Sequence, residues 1–173
     1  MDPFVALARL SIRHFVSCHA SLDVIPPELA LELAGQKAGV FVSIHTLDGE
    51  LRGCKGTILP VQETIAQEII HNAISACARD PRFQPVRRDE LEYLEISVDV
   101  LSDPEPADPA HLDPRRYGVL VSTDDGRRGV LLPDLVGVDS VQEQLAIACR
   151  MAGIDPFRES YSLQRFTVVR HTA

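Results

Sequence analysis

The chain of 173 residues is short of several things, and each shortage closes off a class of function. No apolar run approaches the roughly 20 residues that a membrane-spanning helix needs, so a soluble protein is expected. Positive charge is in deficit: 17 Lys and Arg against 25 Asp and Glu leave a net charge of −8. That balance argues against a broad nucleic-acid surface, which needs clustered cations to meet phosphates, although local basic spots remain compatible with it. The four cysteines, Cys18, Cys54, Cys77 and Cys149, lie far apart and read as reduced thiols, not as the disulfide framework of a small secreted domain. Met1 to Cys18 carries Arg9 and Arg13 inside an apolar periodicity and lacks the continuous apolar core and cleavage site of a signal peptide, so a cytosolic location is expected. His14, His19, His71, His111 and His171 show no two-ligand spacing with a cysteine or carboxylate, and no metal site is expected. A Walker-type phosphate loop, a dinucleotide fingerprint and a serine elbow are all missing, which removes those enzyme classes and leaves no cofactor implied. No internal repeat or low-complexity tract is evident.

What is present has the pattern of an α+β protein. Asp2-Pro3 makes a helix start, after which Phe4, Val5, Ala8, Ile12, Phe15 and Val16 recur at helical spacing as one apolar stripe. Residues 39 to 56 read as a β-hairpin, in which Val40, Val42 and Ile44 alternate with Phe41, Ser43 and His45, and Asp48-Gly49 suits a two-residue turn. A helix to about Ala78 follows Pro60, carrying Ile65, Ile69, Ala73 and Cys77 every four residues and stopping at Asp80-Pro81. A strand around Ile96, Val98 and Val100 comes next. Pro104, Pro106, Pro109 and Pro114 then mark residues 102 to 116 as an exposed connection between lobes. Gly118 to Thr123 and Gly129 to Leu132 suggest a second hairpin. Ser140 with Glu143 has the form of a capping box, Gly153 ends that helix, and a last strand is expected between Leu163 and Val169.

The sharpest local feature is Leu51-Arg52-Gly53-Cys54-Lys55-Gly56, one thiol between two glycines in the second strand of the first hairpin. Glycine has no Cβ to hold a ligand off, so the segment points to a site. The two-residue turn would pair positions summing to 97, setting Ser43 opposite Cys54 and His45 opposite Arg52 on one face. Positive charge beside Cys54 would favour its thiolate, and the start of the following helix could add to that. On this reading Cys54 is a candidate nucleophile or thiol carrier and His45 a candidate base, while Arg52 and Arg82 are candidates to hold an anionic group. The same residues could equally be a packed thiol, a paired strand arginine and an ordinary histidine.

These segments resemble the AMMECR family, whose bacterial and archaeal members are called AmmeMemoRadiSam system protein A. The family's hallmark, LRGCIG, stands here as Leu51 to Gly56, with Lys55 in place of the usual apolar residue. Asp80-Pro81-Arg82-Phe83, Glu90-Leu91, the Ile96 strand, Gly118, Gly129 to Pro133 and Ala152-Gly153 follow in the family's order. The resemblance implies a single domain over residues 4–170, of α+β fold with an antiparallel or mixed sheet flanked by helices, and two unequal lobes with a cleft at the motif. The cleft would be lined by Arg52, Gly53, Lys55, Gly56 and Arg82. It also implies company: a Memo-like protein and a radical S-adenosylmethionine enzyme. Two functions follow as alternatives, thiol chemistry at Cys54 on a small anionic molecule, or a non-catalytic module that binds those partners.

Overall fold

The structure is a computed structural model that describes residues 1–35 and 37–173. Its elements are α1 (Pro3–Cys18), α2 (Pro27–Glu32), β1 (Val40–Thr46), β2 (Leu51–Gly56), α3 (Ile65–Ala78), β3 (Leu94–Leu101), β4 (Glu105–Pro106), β5 (Gly118–Ser122), β6 (Arg128–Leu131), α4 (Val141–Ala152), β7 (Ser162–Phe166) and β8 (Val168–His171). Short 3₁₀ turns occupy Arg88–Tyr93 and Pro109–His111. The chain forms two compact units, residues 1–101 with 169–173, and residues 102–168.

In the first unit α1 begins where the Asp2 carboxylate accepts the N–H groups of Phe4 and Val5, satisfying donors that a helix start leaves unpaired. The apolar stripe of α1 packs with α3 over one face of a four-stranded sheet ordered β2-β1-β3-β8. Val42, Ile44, Ile96 and Val98 from the sheet meet Val5, Ile12, Ile65 and Ile69 from the helices, all buried. Burying each such side chain stabilises the unit by on the order of 2 kcal/mol. Glu68 on α3 lies inside with them, fully buried. Its carboxylate accepts the N–H groups of Val61 and Gln62 and the Thr57 hydroxyl, so it anchors the loop between β2 and α3.

The second unit has a sheet ordered β4-β7-β5-β6, with α4 packed on β5 and β6. The Ser140 hydroxyl caps α4, accepting the Glu143 N–H and donating to the Glu143 carboxylate in place of the reciprocal backbone bond of the expected capping box, and Gly153 closes α4 at φ 70. Two expectations are corrected here. Residues 102 to 116 belong to the second unit and are not a bare connection, because β4 pairs with β7 and Asp108 caps a 3₁₀ turn. The single last strand is two, since Thr167 interrupts it, and β7 and β8 join different sheets.

An internal repeat, not evident from the sequence, also emerges. Thr46-Leu47-Asp48-Gly49-Glu50 and Thr123-Asp124-Asp125-Gly126-Arg127 form the same hairpin loop. In each the threonine hydroxyl bonds the aspartate two residues on, and the threonine N–H bonds the carbonyl four residues on. The loop therefore holds three residues, not two, with Gly49 and Gly126 in the left-handed region at φ 89 and 91. Each hairpin leads to a helix capped by Thr64 or Ser140. Each helix is followed by Asp-Pro, and Asp80 and Asp155 both accept the N–H two residues on.

Candidate functional site

The β1–β2 register follows the expected pairing as far as the thiol: Phe41 opposite Gly56, Val42 opposite Lys55, Ser43 opposite Cys54 and Ile44 opposite Gly53. It then slips. His45 faces Leu51, so Arg52 is the extra residue of a β-bulge and not the partner of His45. A bulge bends its strand and re-aims a side chain. Here it sends Arg52 to Glu90, whose carboxylate accepts from Nε at 2.8 Å and from Nη2 at 3.0 Å, while Nη2 also reaches the Pro85 carbonyl at 3.4 Å. The Arg52 guanidinium, with the Arg87 N–H, holds Glu90 below the usual carboxylate range against the opposing effect of burial. The Arg52 side chain is only 15% exposed, so this cation is matched within the unit and does not stand open to an incoming anion.

Cys54 is held by the turn that follows α3. Its N–H donates to the Asp80 carboxylate at 3.0 Å, and Arg82 Nη2 approaches its carbonyl at 3.5 Å. Asp80 in turn accepts from Arg82 through the backbone N–H, through Nε at 3.0 Å and through Nη2 at 2.7 Å. Because β2 is the edge of its sheet, the Cys54 peptide groups face away from β1 and need partners. Asp80 and Arg82 supply one acceptor and one donor, as a neighbouring strand would. Burial raises the Asp80 pKa, but the Arg82 side chain, the Cys54 N–H and the Arg82 N–H outweigh it and hold the carboxyl at about 2. Arg82 thus joins the thiol segment, but it and Arg52 engage different carboxylates and do not form the expected paired anion pocket.

The surroundings of the thiol do not favour its charged form. Burial pushes the Cys54 pKa up. The Ser43 hydroxyl, 3.3 Å from Sγ, and the charge of Arg82 pull it down, while Asp99 and Asp80 push it up again, and the net direction is upward. This corrects the expectation of a thiolate favoured by Arg52 and His45. His45 lies between Leu51 and Glu95, and no hydrogen bond among the described residues links it to Cys54. Nor does the start of α3 help. Gly53 packs against the Ala76 carbonyl in the last turn of that helix, which is its negative end.

Both glycines of the motif serve packing. A Cβ on Gly53 would lie 2.2 Å from the Ala76 carbonyl oxygen, and one on Gly56 would lie 2.3 Å from the Phe41 ring. Protein atoms, not a ligand, fill the space that the missing side chains leave. Lys55 pairs with Val42 and is half-buried. Sequence reasoning missed Asp99, which is 2% exposed and takes the Arg170 guanidinium through Nε and Nη2, both at 2.8 Å. Asp99 pairs with Phe41 and Ser97 with Ser43, so the face that carries Cys54 also carries two hydroxyls and a buried carboxylate. The polar positions of β3 were the available signal. Among the described residues no group of three or more His, Cys, Asp or Glu could hold a metal ion. A groove of about 360 Å³ lies between the β1–β2 turn and the 3₁₀ turn before β3, and no residue of Leu51 to Gly56 lines it. Among the described residues no helix is long and apolar enough to cross a membrane.

Two units, each with an antiparallel sheet and a hairpin–helix module, define an α+β protein whose distinctive segment is a carboxylate-clasped cysteine strand. The chain belongs to the AMMECR1 family, whose model matches residues 5–171. A protein of Thermotoga maritima is 50% identical over 172 residues, covering 98% of this chain and 97% of that one. A Clostridium acetobutylicum protein is 48% identical over 170 residues, but this chain, 98% of which is covered, spans only 36% of its length. The crystal structure of an uncharacterized Pyrococcus horikoshii protein matches with a TM-score of 0.86 at 30% identity, covering 96% of this chain and 88% of that one.

Proposed function

We propose that the chain is a binding module, and that the clasped Cys54 strand is a recognition surface and not a catalytic centre. One observation carries this reading: the Arg52 guanidinium and the Cys54 peptide groups are already engaged within the unit. Arg52 is committed to Glu90, the Cys54 peptide to Asp80 and Arg82, and burial pushes the thiol pKa up. Arg82, whose side chain is 52% exposed, is the cation left at the surface beside Cys54, suited to an acidic group on a partner. The Clostridium relative supports a partnered role, because there the matching sequence is one part of a much longer chain. The family resemblance names the company, a Memo-like protein and a radical S-adenosylmethionine enzyme.

The experiment compares Arg82→Ala and Cys54→Ser in binding to those two purified proteins. Loss of binding with Arg82→Ala and retention with Cys54→Ser is the expected result. The competing reading, thiol chemistry on a small anionic molecule, is favoured by the Ser43 hydroxyl and the Arg82 charge beside a thiol that is not fully enclosed. Mass added to Cys54 by cell extract, absent from Cys54→Ser, would carry that reading instead.

A further inference from the structure

The groove beside the first hairpin has the features of a docking site. It is lined by Leu47 and Tyr93, which are 60% and 64% exposed, and by the acidic residues Asp48, Asp89 and Glu90. Single exposed apolar side chains are ordinary, but an aliphatic and an aromatic side chain lining one concavity are not scattered surface. The groove lies at the small end of ligand-site volumes, so it suits one side chain and its flanking backbone better than a large cofactor.

Charge selects the occupant. Glu90 is matched by Arg52 and Asp89 by Arg87, whereas the described hydrogen bonds give Asp48 only the Thr46 hydroxyl. Three carboxylates against the two guanidinium groups that pair with them leave the lining acidic. An anion would be repelled, and a neutral apolar group would leave Asp48 without a cationic partner. A basic side chain meets both demands, because its aliphatic stem covers Leu47 while its head meets Asp48 and the face of the Tyr93 ring.

We infer that this groove docks an arginine or lysine side chain of a partner protein. The site shares no residue with the Cys54 strand, so its failure and that of the recognition reading are separable. The probe is acetyl-Arg-Leu-Arg-amide, titrated into the 15N-labelled full chain and followed by amide shifts. Its citrulline counterpart has nearly the same shape without the charge, and a Glu-Leu-Glu peptide reverses the charge. Shifts are expected at residues 46–48 and 89–94, with the citrulline peptide about tenfold weaker and the acidic peptide silent. Tyr93→Ala should weaken binding about fivefold and Asp48→Asn roughly threefold, while Arg82→Ala leaves it unchanged. Since Tyr93 and Asp48 are exposed, neither change should disturb the fold, and unaltered amide positions elsewhere check this. Equal binding of the citrulline peptide, shifts confined to other residues, indifference to Tyr93→Ala, or no shifts at millimolar peptide would each overturn the proposal.

Discussion

The two hairpin–helix modules share a scaffold and differ where the first carries its polar groups. Ile44 faces Gly53 in one and Val121 faces Gly129 in the other, each glycine lying against a helix carbonyl, that of Ala76 or Ala148. One pair further along, Ser43 and Cys54 stand where the second module has Leu120 and Val130. The first module has one residue more between its turn glycine and its packing glycine, and that residue is the bulged Arg52. After the helix, Asp80 is buried and reaches the Cys54 N–H, whereas the side chain of Asp155 is 46% exposed and its carboxylate stays within its own turn. The shared features are those that pack a strand on a helix. The differences gather at Cys54.

The largest effects should come from what the modules share. Gly53→Ala and Gly129→Ala should each cost about 3 kcal/mol in chemical denaturation, because a Cβ there overlaps backbone that cannot swing aside. A harmless change at either position would break the equivalence. Next comes a contrast. Asp80→Asn should cost on the order of 2 kcal/mol near neutral pH, and Asp155→Asn no more than about 0.5 kcal/mol.

The pH dependence sharpens that contrast. The Asp80 carboxyl is depressed from 3.8 to about 2, so its contribution is fully present above pH 3.8 and is lost as the pH falls toward 2. The stability gap between wild type and Asp80→Asn should close over that window, and a gap unchanged between pH 5 and pH 2 would discount the clasp.

Arg52→Ala should cost about 1 kcal/mol, since the pair with Glu90 is half-sheltered, and the Glu90 pKa measured by NMR should rise. The smallest effect is kinetic. Exposed Cys18 should alkylate before Cys54, with the Cys54 rate rising at higher pH than for an ordinary thiol and later still in Arg82→Ala. Alkylation of Cys54 first, at neutral pH, would restore the nucleophile reading.

Much of the fold was legible from residue spacing. The α1 stripe, the Ser140 cap, the Gly153 stop and both hairpins all rest on contacts within a few residues, where periodicity and turn chemistry act. The site was legible only in part. Ser43 opposite Cys54 followed from the alternation, but one extra residue past Gly53 was enough to move Arg52 away from His45. Asp80-Pro81 was visible as a helix stop, yet its reach to Cys54 depends on α3 lying across the sheet with its last turn at Gly53. The repeat was hidden by the same extra residue and by the unlike helices between the matching turns.

The sequence by itself determined an α+β chain with two glycine-turned hairpins, reduced thiols, an acidic surface and the family hallmark around Cys54. Local geometry suffices for these, because each depends on near neighbours or on composition. Only the tertiary structure decided which acid meets which arginine, and that the half-buried thiol shares its face of the sheet with Ser43, Ser97 and the Asp99 carboxylate. Those outcomes depend on partners such as Asp80, Glu90 and Asp99, each 26 or more residues from the group it answers, brought into place by packing and not by spacing.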